Sequence, residues 1–389
     1  MNILLVTETY VPTISGVASS TQSIANYLVS RGHTVTVVCP APFAGGSTGE
    51  RVRGLSVVTV PSQRDPIIAG KPMTIFPMGF GYIWRTLHRA KFDVIHIQEP
   101  GSLGVTALII SKIMHIPTVG AQHTMPEQFA TFFGPLYAFG LFCAKLLSRT
   151  VYGHYTAIMT PTKTMANYLK RIGITVPITA VSNGIDIKKY IHAPPDFWAK
   201  VPFTLPRHKV CIGYLGRIDK DKHLDIAVRA MGETDPAVHL VIAGFGKEQA
   251  ALVALAGALH VQNKITFIGS LNEPQIIELY HRMQCFVIPS PVESQSIVTL
   301  QAAACGLPII AADAGALPEL VHDGINGYLV KTDDIHAFAQ KMSDLAKHAP
   351  LRKKFGLASR KVAILHDKPL VLHTLEKLYE QLLQTRKSR

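Results

Sequence analysis

One stretch constrains this chain more than any other. An apolar run, Cys285 to Ile288, leads through Ser290-Pro291-Val292-Glu293-Ser294-Gln295 into an apolar helical pattern. That pattern opens near Ser296 and ends at Gly306, with Pro308 just beyond. A strand that turns through a carboxylate into a helix is the repeating unit of a parallel α/β sheet. Ligands of such sheets sit at strand carboxyl ends and helix amino ends. The amides of Ser296, Ile297 and Val298 suit a phosphate, the Glu293 carboxylate suits sugar hydroxyls, and Gln301 follows between one and two turns into the helix.

The rest of the chain repeats this α/β pattern. Ile3–Val6, the loop Thr7–Ser15, a helix over Gly16–Ser30 and a strand over Thr34–Cys39 read as a first βαβ unit, with Arg31-Gly32-His33 as the helix stop. Further strands are predicted at 55–60, 94–97, 118–121 and 157–160. Pro-rich Ile191-His192-Ala193-Pro194-Pro195 reads as a linker, and Lys209 to Arg217 opens a second α/β series. Strand ends follow at Gly244 and at Ile268-Gly269, and an amphipathic helix over 370–383 and a basic tail, Arg386 to Arg389, close the sequence. The predicted boundaries are 1–190, a linker 191–205, 206–368, and a final helix with its tail over 369–389.

Several classes of function are excluded or disfavoured. The first loop lacks G-x-G-x-x-G, which disfavours a dinucleotide oxidoreductase. Apolar residues make up 48% of the chain and charged ones 17%, yet no run is long enough to span a bilayer. The opening Met1 to Val6 reads as a strand and not as a leader. Five scattered cysteines, without paired metal spacing, read as reduced buried thiols in a cytoplasmic protein. The net charge is +13, most of it carried by residues 1–190. Such a balance suits an anionic membrane or an acidic substrate, and no nucleic-acid-binding motif is present.

The spacing from Glu293 to Gln301 resembles the paired-acid motif of the retaining nucleotide-sugar glycosyltransferases of family 4, with glutamine in place of the second acid. Gly216-Arg217, four residues and Lys222 match the family's arginine–lysine pair, with His223 where the family has glycine. Thr9 to Val17 resembles its Tyr-x-Pro-x-x-Gly-Gly loop, with Ser15 replacing the first glycine. Val181 to Asp186 resembles the last strand before the hinge, and Ala314 to Glu319 continues the likeness. The resemblance implies a GT-B fold: two Rossmann-like domains facing a central cleft, with the C-terminal helix crossing back to the first domain.

It also implies roles. Arg217 and Lys222 would hold the donor diphosphate, arginine by paired bonds and lysine as a point charge. Glu293 would orient the sugar, and Gln301 would accept from ribose hydroxyls. Gly16, Gly244 and Ile268 would let donor groups approach the backbone, although Gly16 reads equally as a packing glycine. His123, after strand 118–121, would reach the donor sugar. With Thr124-Met125-Pro126-Glu127-Gln128-Phe129 it resembles branches that glycosylate diacylglycerol. His96, in Phe92 to Pro100, is as readily a core histidine as a site residue.

Two segments bear on the acceptor. Trp84, Arg85, Arg89 and Lys91 form an aromatic and basic face. Phe129, Phe132 and Phe133 begin an apolar run to Arg149 that reads either as an interfacial segment or as a buried helix. The implied molecule moves a hexose, glucose first, from a nucleotide-diphospho-sugar, UDP-glucose first, to a membrane lipid such as diacylglycerol. It would need no metal or other cofactor and would act peripherally at the inner face of the cell membrane. The alternatives are GDP-mannose as donor, a soluble acceptor, or a sugar-nucleotide-binding protein without activity.

Overall fold

The computed structural model describes residues 1–13, 15–42, 52–64, 72–74, 78–123, 125–192 and 203–387. They divide into two units: Met1–Ser182 with Val371–Arg389, and Asn183–Leu370.

The first unit runs β1 (Asn2–Val6), α1 (Gly16–Ser30), β2 (Thr34–Pro40), β3 (Leu55–Val60), the short pair β4 (Gln63–Arg64) and β5 (Pro72–Met73), and α2 (Met78–Arg89). It continues with β6 (Val94–Ile97), α3 (Ser102–Ile113), β7 (Thr118–Ala121), α4 (Pro126–Ala130), α5 (Tyr137–Tyr152), β8 (Ala157–Thr160), α6 (Lys163–Arg171) and β9 (Ile178–Ala180). Seven parallel strands pair in the order β3-β2-β1-β6-β7-β8-β9. Alternate residues of β1 enter opposite cores. Ile3 and Leu5 pack with α1, while Leu4 and Val6 pack with Ile83 and Leu87 of α2 and with Leu103 of α3. Both faces are buried, which is why these strands read as continuous apolar runs.

The second unit runs α7 (Ile187–Ile191), β10 (Val210–Leu215), α8 (Leu224–Ala230), β11 (Val238–Ala243), α9 (Gln249–Ala258), β12 (Ile265–Gly269), α10 (Glu273–Arg282) and β13 (Cys285–Ile288). Then come α11 (Ile297–Ala304), β14 (Ile309–Ala312), β15 (Gly327–Val330), α12 (Ile335–Lys347), α13 (Ala349–Ile364) and the start of α14 (Lys368–Lys387). Its six strands are parallel, in the order β12-β11-β10-β13-β14-β15. From Val371 onward α14 belongs to the first unit, where Val371, Leu372, Leu375, Leu378 and Tyr379 join the core beneath α1.

In each sheet the strand order reverses once, between β1 and β6 and between β10 and β13. Such a reversal opens a crevice at the strand carboxyl ends. The Glu293 turn and the Arg217 loop leave the second crevice, and the Thr7–Ser15 loop and His96–Glu99 segment leave the first.

Three expectations need correction. Val181–Asp186 is not a strand: β9 ends at Ala180, and Ile185 makes only an isolated parallel bridge to Asp367. The first unit gives way to the second at Ser182, short of the expected 190, because α7 packs Ile187 and Tyr190 into the second core. Cys143 is only half-buried, whereas Cys39, Cys211, Cys285 and Cys305 are buried, and burial pushes the Cys39 thiol up to about 12.

Candidate active site

Glu293 and Lys222 form the centre of the second unit's crevice. Lys222 Nζ donates to Glu293 Oε1 at 2.8 Å and lies 3.4 Å from Asp221 Oδ2. The backbone of Glu293 is held from behind by the Ala314-Gly315-Ala316 turn, where Ala316 N donates to Glu293 O at 2.9 Å. Gly315 has φ +56°, and a Cβ there would stand 2.8 Å from Glu293 N and O, so the turn needs glycine. Ser290, fully buried, donates to the Asp221 carbonyl at 3.2 Å and ties the two loops together.

Arg217 is placed differently from expectation. Its guanidinium binds the carboxylates of Asp219 and Asp221, the latter at 3.0 Å, with the side chain 57% exposed. The acids of its own loop therefore occupy it in this structure. Asp219 and Asp221, an Asp-x-Asp pair, are residues that sequence reasoning missed, although their place beside Arg217 and Lys222 was there to be seen.

The helix amino end is built as expected. Ser296 caps α11, its hydroxyl accepting from Thr299 N at 3.4 Å and from Thr299 Oγ1 at 2.8 Å. The amides of Ile297 and Val298 belong to the first turn, where helix donors have no intrahelical partner. Gly244 lies against the preceding loop: φ is +135°, and a Cβ would come within 1.8 Å of Gly216 O. Gly244 N donates to Gly269 O at 2.8 Å, bringing the ends of β11 and β12, with half-buried Ile268, to the same edge.

Gln301 faces two tyrosines. Its Nε2 donates to the Tyr190 hydroxyl at 2.8 Å, and its Oε1 accepts from the Tyr280 hydroxyl at 3.2 Å. The expected ribose contact would have to use the remaining acceptor capacity of an oxygen already engaged by Tyr280.

In the first unit, Ser15 caps α1 by accepting from Ala18 N at 3.1 Å. Beyond its chain neighbours and its own helix backbone, no described atom lies within 4 Å of a Cβ placed on Gly16, so no described neighbour requires glycine there for packing. His96 is a core histidine: it is fully buried, and Tyr379 Oη lies 2.5 Å from its Nδ1. Burial, with His123 adding to it, lowers its pKa to about 3. His123 Nε2 lies 3.1 Å from Gln98 Oε1, and burial lowers its pKa against the opposing pull of Glu99. Glu8, also missed, accepts from Leu103 N at 2.6 Å at the amino end of α3.

The sequence matches the model of the Glycosyltransferase Family 4 domain over residues 14–189 and that of Glycosyl transferases group 1 over residues 200–362. The chain belongs to the GT-B glycosyltransferases of family 4. This glycosyltransferase is 26% identical, over 98% of its length and 96% of the relative's, to a GDP-mannose-dependent alpha-mannosyltransferase of Mycobacterium tuberculosis. It is also 26% identical to the alpha-monoglucosyldiacylglycerol synthase of Acholeplasma laidlawii, over 90% of its own length and 87% of the other. The fold matches Anabaena HepE solved with UDP at a TM-score of 0.76, with 20% identity over 98% of this chain and 100% of that one. The activity is hexosyl transfer from a nucleotide sugar.

The glycosyltransferase has two outer faces of interest. On α2, Ile83 and Leu87 are buried and Trp84 is half-buried against the same core. Exposed Phe80 stacks on it and exposed His88 tilts over it, ring centroids 5.8 and 4.3 Å away, with exposed Arg85, Arg89 and Lys91 on the helix and just after it. On α5 the buried-helix reading fails. Tyr137, Phe139, Phe142, Leu146 and Leu147 are exposed beside half-buried Lys145 and exposed Arg149. Phe133 packs over Gly140, and the side chains of Phe129 and Phe132 lie outside the described residues. No described helix is long and apolar enough to cross a membrane.

Proposed function

We propose that this glycosyltransferase moves glucose from UDP-glucose to a lipid hydroxyl, diacylglycerol being the first candidate, with retention of configuration, while docked on an anionic membrane face in the cytoplasm. The observation that carries the lipid reading is the α5 face, whose exposed Phe139, Phe142, Leu146 and Leu147 sit beside basic side chains. An interfacial helix needs that combination. The name of the Acholeplasma relative agrees with it.

In this reading the diphosphate takes Arg217 from Asp219 and Asp221 and draws on Lys222 and the amides at Ser296–Val298. These groups stabilise the charge that develops as the glycosidic bond breaks. Glu293 orients the sugar, Gly16, Gly244 and Ile268 border the donor, Gln301 supports it from its tyrosine pair, and His123 takes a hydrogen bond from a sugar hydroxyl. The acceptor attacks on the face the leaving group vacates, and the departing phosphate accepts its proton. The cations come from side chains, so no metal is required; full loss of activity in EDTA, restored by magnesium or manganese, would overturn that. The mannosyltransferase relatives support a second reading, GDP-mannose as donor.

The deciding experiment is a screen of UDP-glucose and GDP-mannose against membrane lipid extract, with mass spectrometry of the product. A hexosylated lipid from UDP-glucose supports the proposal. Transfer only to water-soluble acceptors, or no turnover with either donor, sinks it.

A further inference from the structure

Helix α13 gives the second unit a face with one sign of charge. Residues 347–370 hold seven Lys/Arg and a single acid, Asp367, which is turned inward and accepts from Ile187 N at 3.4 Å. The 16 residues of α13 include no acid at all. Its inner side is fixed: Phe355, Gly356, Ser359 and Ala363 are buried, and a Cβ on Gly356 would stand 2.1 Å from Gly306 O. The two arginines are used on that side, at the carboxyl ends of other helices. Arg352 Nη1 donates to Leu345 O and Ala346 O of α12, the latter at 2.8 Å, and Arg360 Nη2 donates to Cys305 O just past α11 at 3.3 Å.

The outer side is different. Lys353, Leu357, Lys361 and Ile364 follow one another at steps of four, four and three, so they share one side of the helix, with Lys354 and Leu365 along its edge. All six are exposed, Leu357 by 54%, Ile364 by 53% and Leu365 by 67%. None of the three lysines has an ion-pair partner among the described residues. A merely solvated helix face sets acids against its lysines at three- and four-residue steps and keeps aliphatics inward. The outer side of α13 does neither.

This chemistry selects a partner. Unpaired lysines of one sign attract an anionic surface. Leucine and isoleucine add nothing on a nucleic-acid backbone, which is held by charge and hydrogen bonds. One helix face, about 18 Å long and about 10 Å wide, falls far short of the roughly 800 Å² that a stable protein partner covers. A bilayer of acidic lipid needs neither that area nor a matched shape. Lysine stems reach up to its phosphates while the aliphatics between them enter below.

We infer that α13 is a membrane-docking face of the second unit and that its occupant is an anionic lipid surface. The inference rests on the membrane reading above for its partner and on none of the residues that carry that reading, since α2 and α5 belong to the first unit.

The test uses the full chain and vesicles of phosphatidylcholine, alone or with an equal part of phosphatidylglycerol. Acetylation read by mass spectrometry reports each lysine without any substitution. Lys353, Lys354 and Lys361 should react at least about fivefold more slowly with acidic vesicles, and at their free rate with neutral ones. Full reactivity of the three on protein that has sedimented with acidic vesicles overturns the inference and leaves docking by the first unit standing. Protein that ignores acidic vesicles sinks both. Equal protection by duplex DNA at the same salt assigns the face to polyanions in general and overturns the lipid assignment. Lys353→Glu, Lys354→Glu and Lys361→Glu together should weaken binding to acidic vesicles about a hundredfold, with calorimetric binding of UDP and GDP as in the parent. Leu357→Ser with Ile364→Ser should weaken it about tenfold, in high salt as in low. Vesicle binding as in the parent by either variant overturns the inference, and the acetylation pattern decides alone where a variant does not fold.

Discussion

Lys222 Nζ lies 2.8 Å from Glu293 Oε1, and each side chain is only 11% exposed. Without Glu293 the Lys222 ammonium keeps Asp221 Oδ2, at 3.4 Å, as its counter-ion, so the loss falls below the roughly 3–5 kcal/mol typical of an uncompensated buried charge. Glu293→Ala should therefore melt earlier and lose transfer by at least about a hundredfold, since it also loses the sugar-orienting carboxylate. Turnover within about threefold of the parent, measured with the donor that the screen identifies, would remove Glu293 from the site.

Gln301 offers a separation of fold from ligand. Gln301→Leu takes the partner from the Tyr190 hydroxyl, while the Tyr280 hydroxyl keeps Val298 O as acceptor at 3.0 Å, and should cost about 1–3 kcal/mol in a thermal melt. In Gln301→Glu both tyrosines can donate to the carboxylate, so the melt should hold. Any ribose contact would then be charge-assisted, and calorimetry with the nucleoside diphosphate should show binding tighter by about 1 kcal/mol. A glutamate variant that no longer binds the nucleotide would mean that Gln301 faces no ribose.

Acid should weaken the first unit through His96. Its folded pKa, about 3, lies below the ordinary 6.5, so the unfolded chain binds the proton first. The contribution is complete above about pH 6.5 and is lost as pH falls from there toward 3, by up to about 1.4 kcal/mol for each pH unit. His123 is lowered by burial too and acts in the same direction, as His239, His281 and His366 do in the second unit. Hydrogen exchange at β1 and β6 between pH 7 and 5 reads this slope, and His96→Asn should flatten it. A slope identical in that variant would clear His96 of any part in it.

The docking proposal separates charge from apolar contact. Arg85, Arg89 and Lys91 replaced by Glu should weaken sedimentation with vesicles of acidic lipid and leave nucleotide binding intact. Each lost charge is worth about 1 kcal/mol near the surface. Phe139, Phe142 and Leu146 replaced by Ser should remove the part that survives high salt. Vesicle binding unchanged in both variants would mean that neither α2 nor α5 meets lipid.

The α/β alternation was legible because apolar runs buried on both faces, the Gly and Pro stops and the Ser15 and Ser296 caps are all local signals. Glu293, Lys222 and Gly244 could be placed for the same reason, each lying in the loop that follows a strand of its own segment. What escaped was pairing across the sequence. Gln301 meets Tyr190 over a separation of 111 residues, and His96 meets Tyr379 over 283, and no local pattern encodes either. Arg217 escaped differently: its partners lie two and four residues away, but competition between them and a phosphate is a matter of geometry. The apolar run to Arg149 could not be oriented at all until α5 showed which side faced out.

Helix α14 has a consequence for how the molecule is made. Val371, Leu375 and Tyr379 lie in the core under α1, and Glu376 binds His33 at 2.8 Å and Arg31 at 3.3 Å. The domain begun first on the ribosome is thus finished last, after the whole of the other one has emerged. Until then the face of β1, β6 and β7 that packs on α14 lacks its apolar cover.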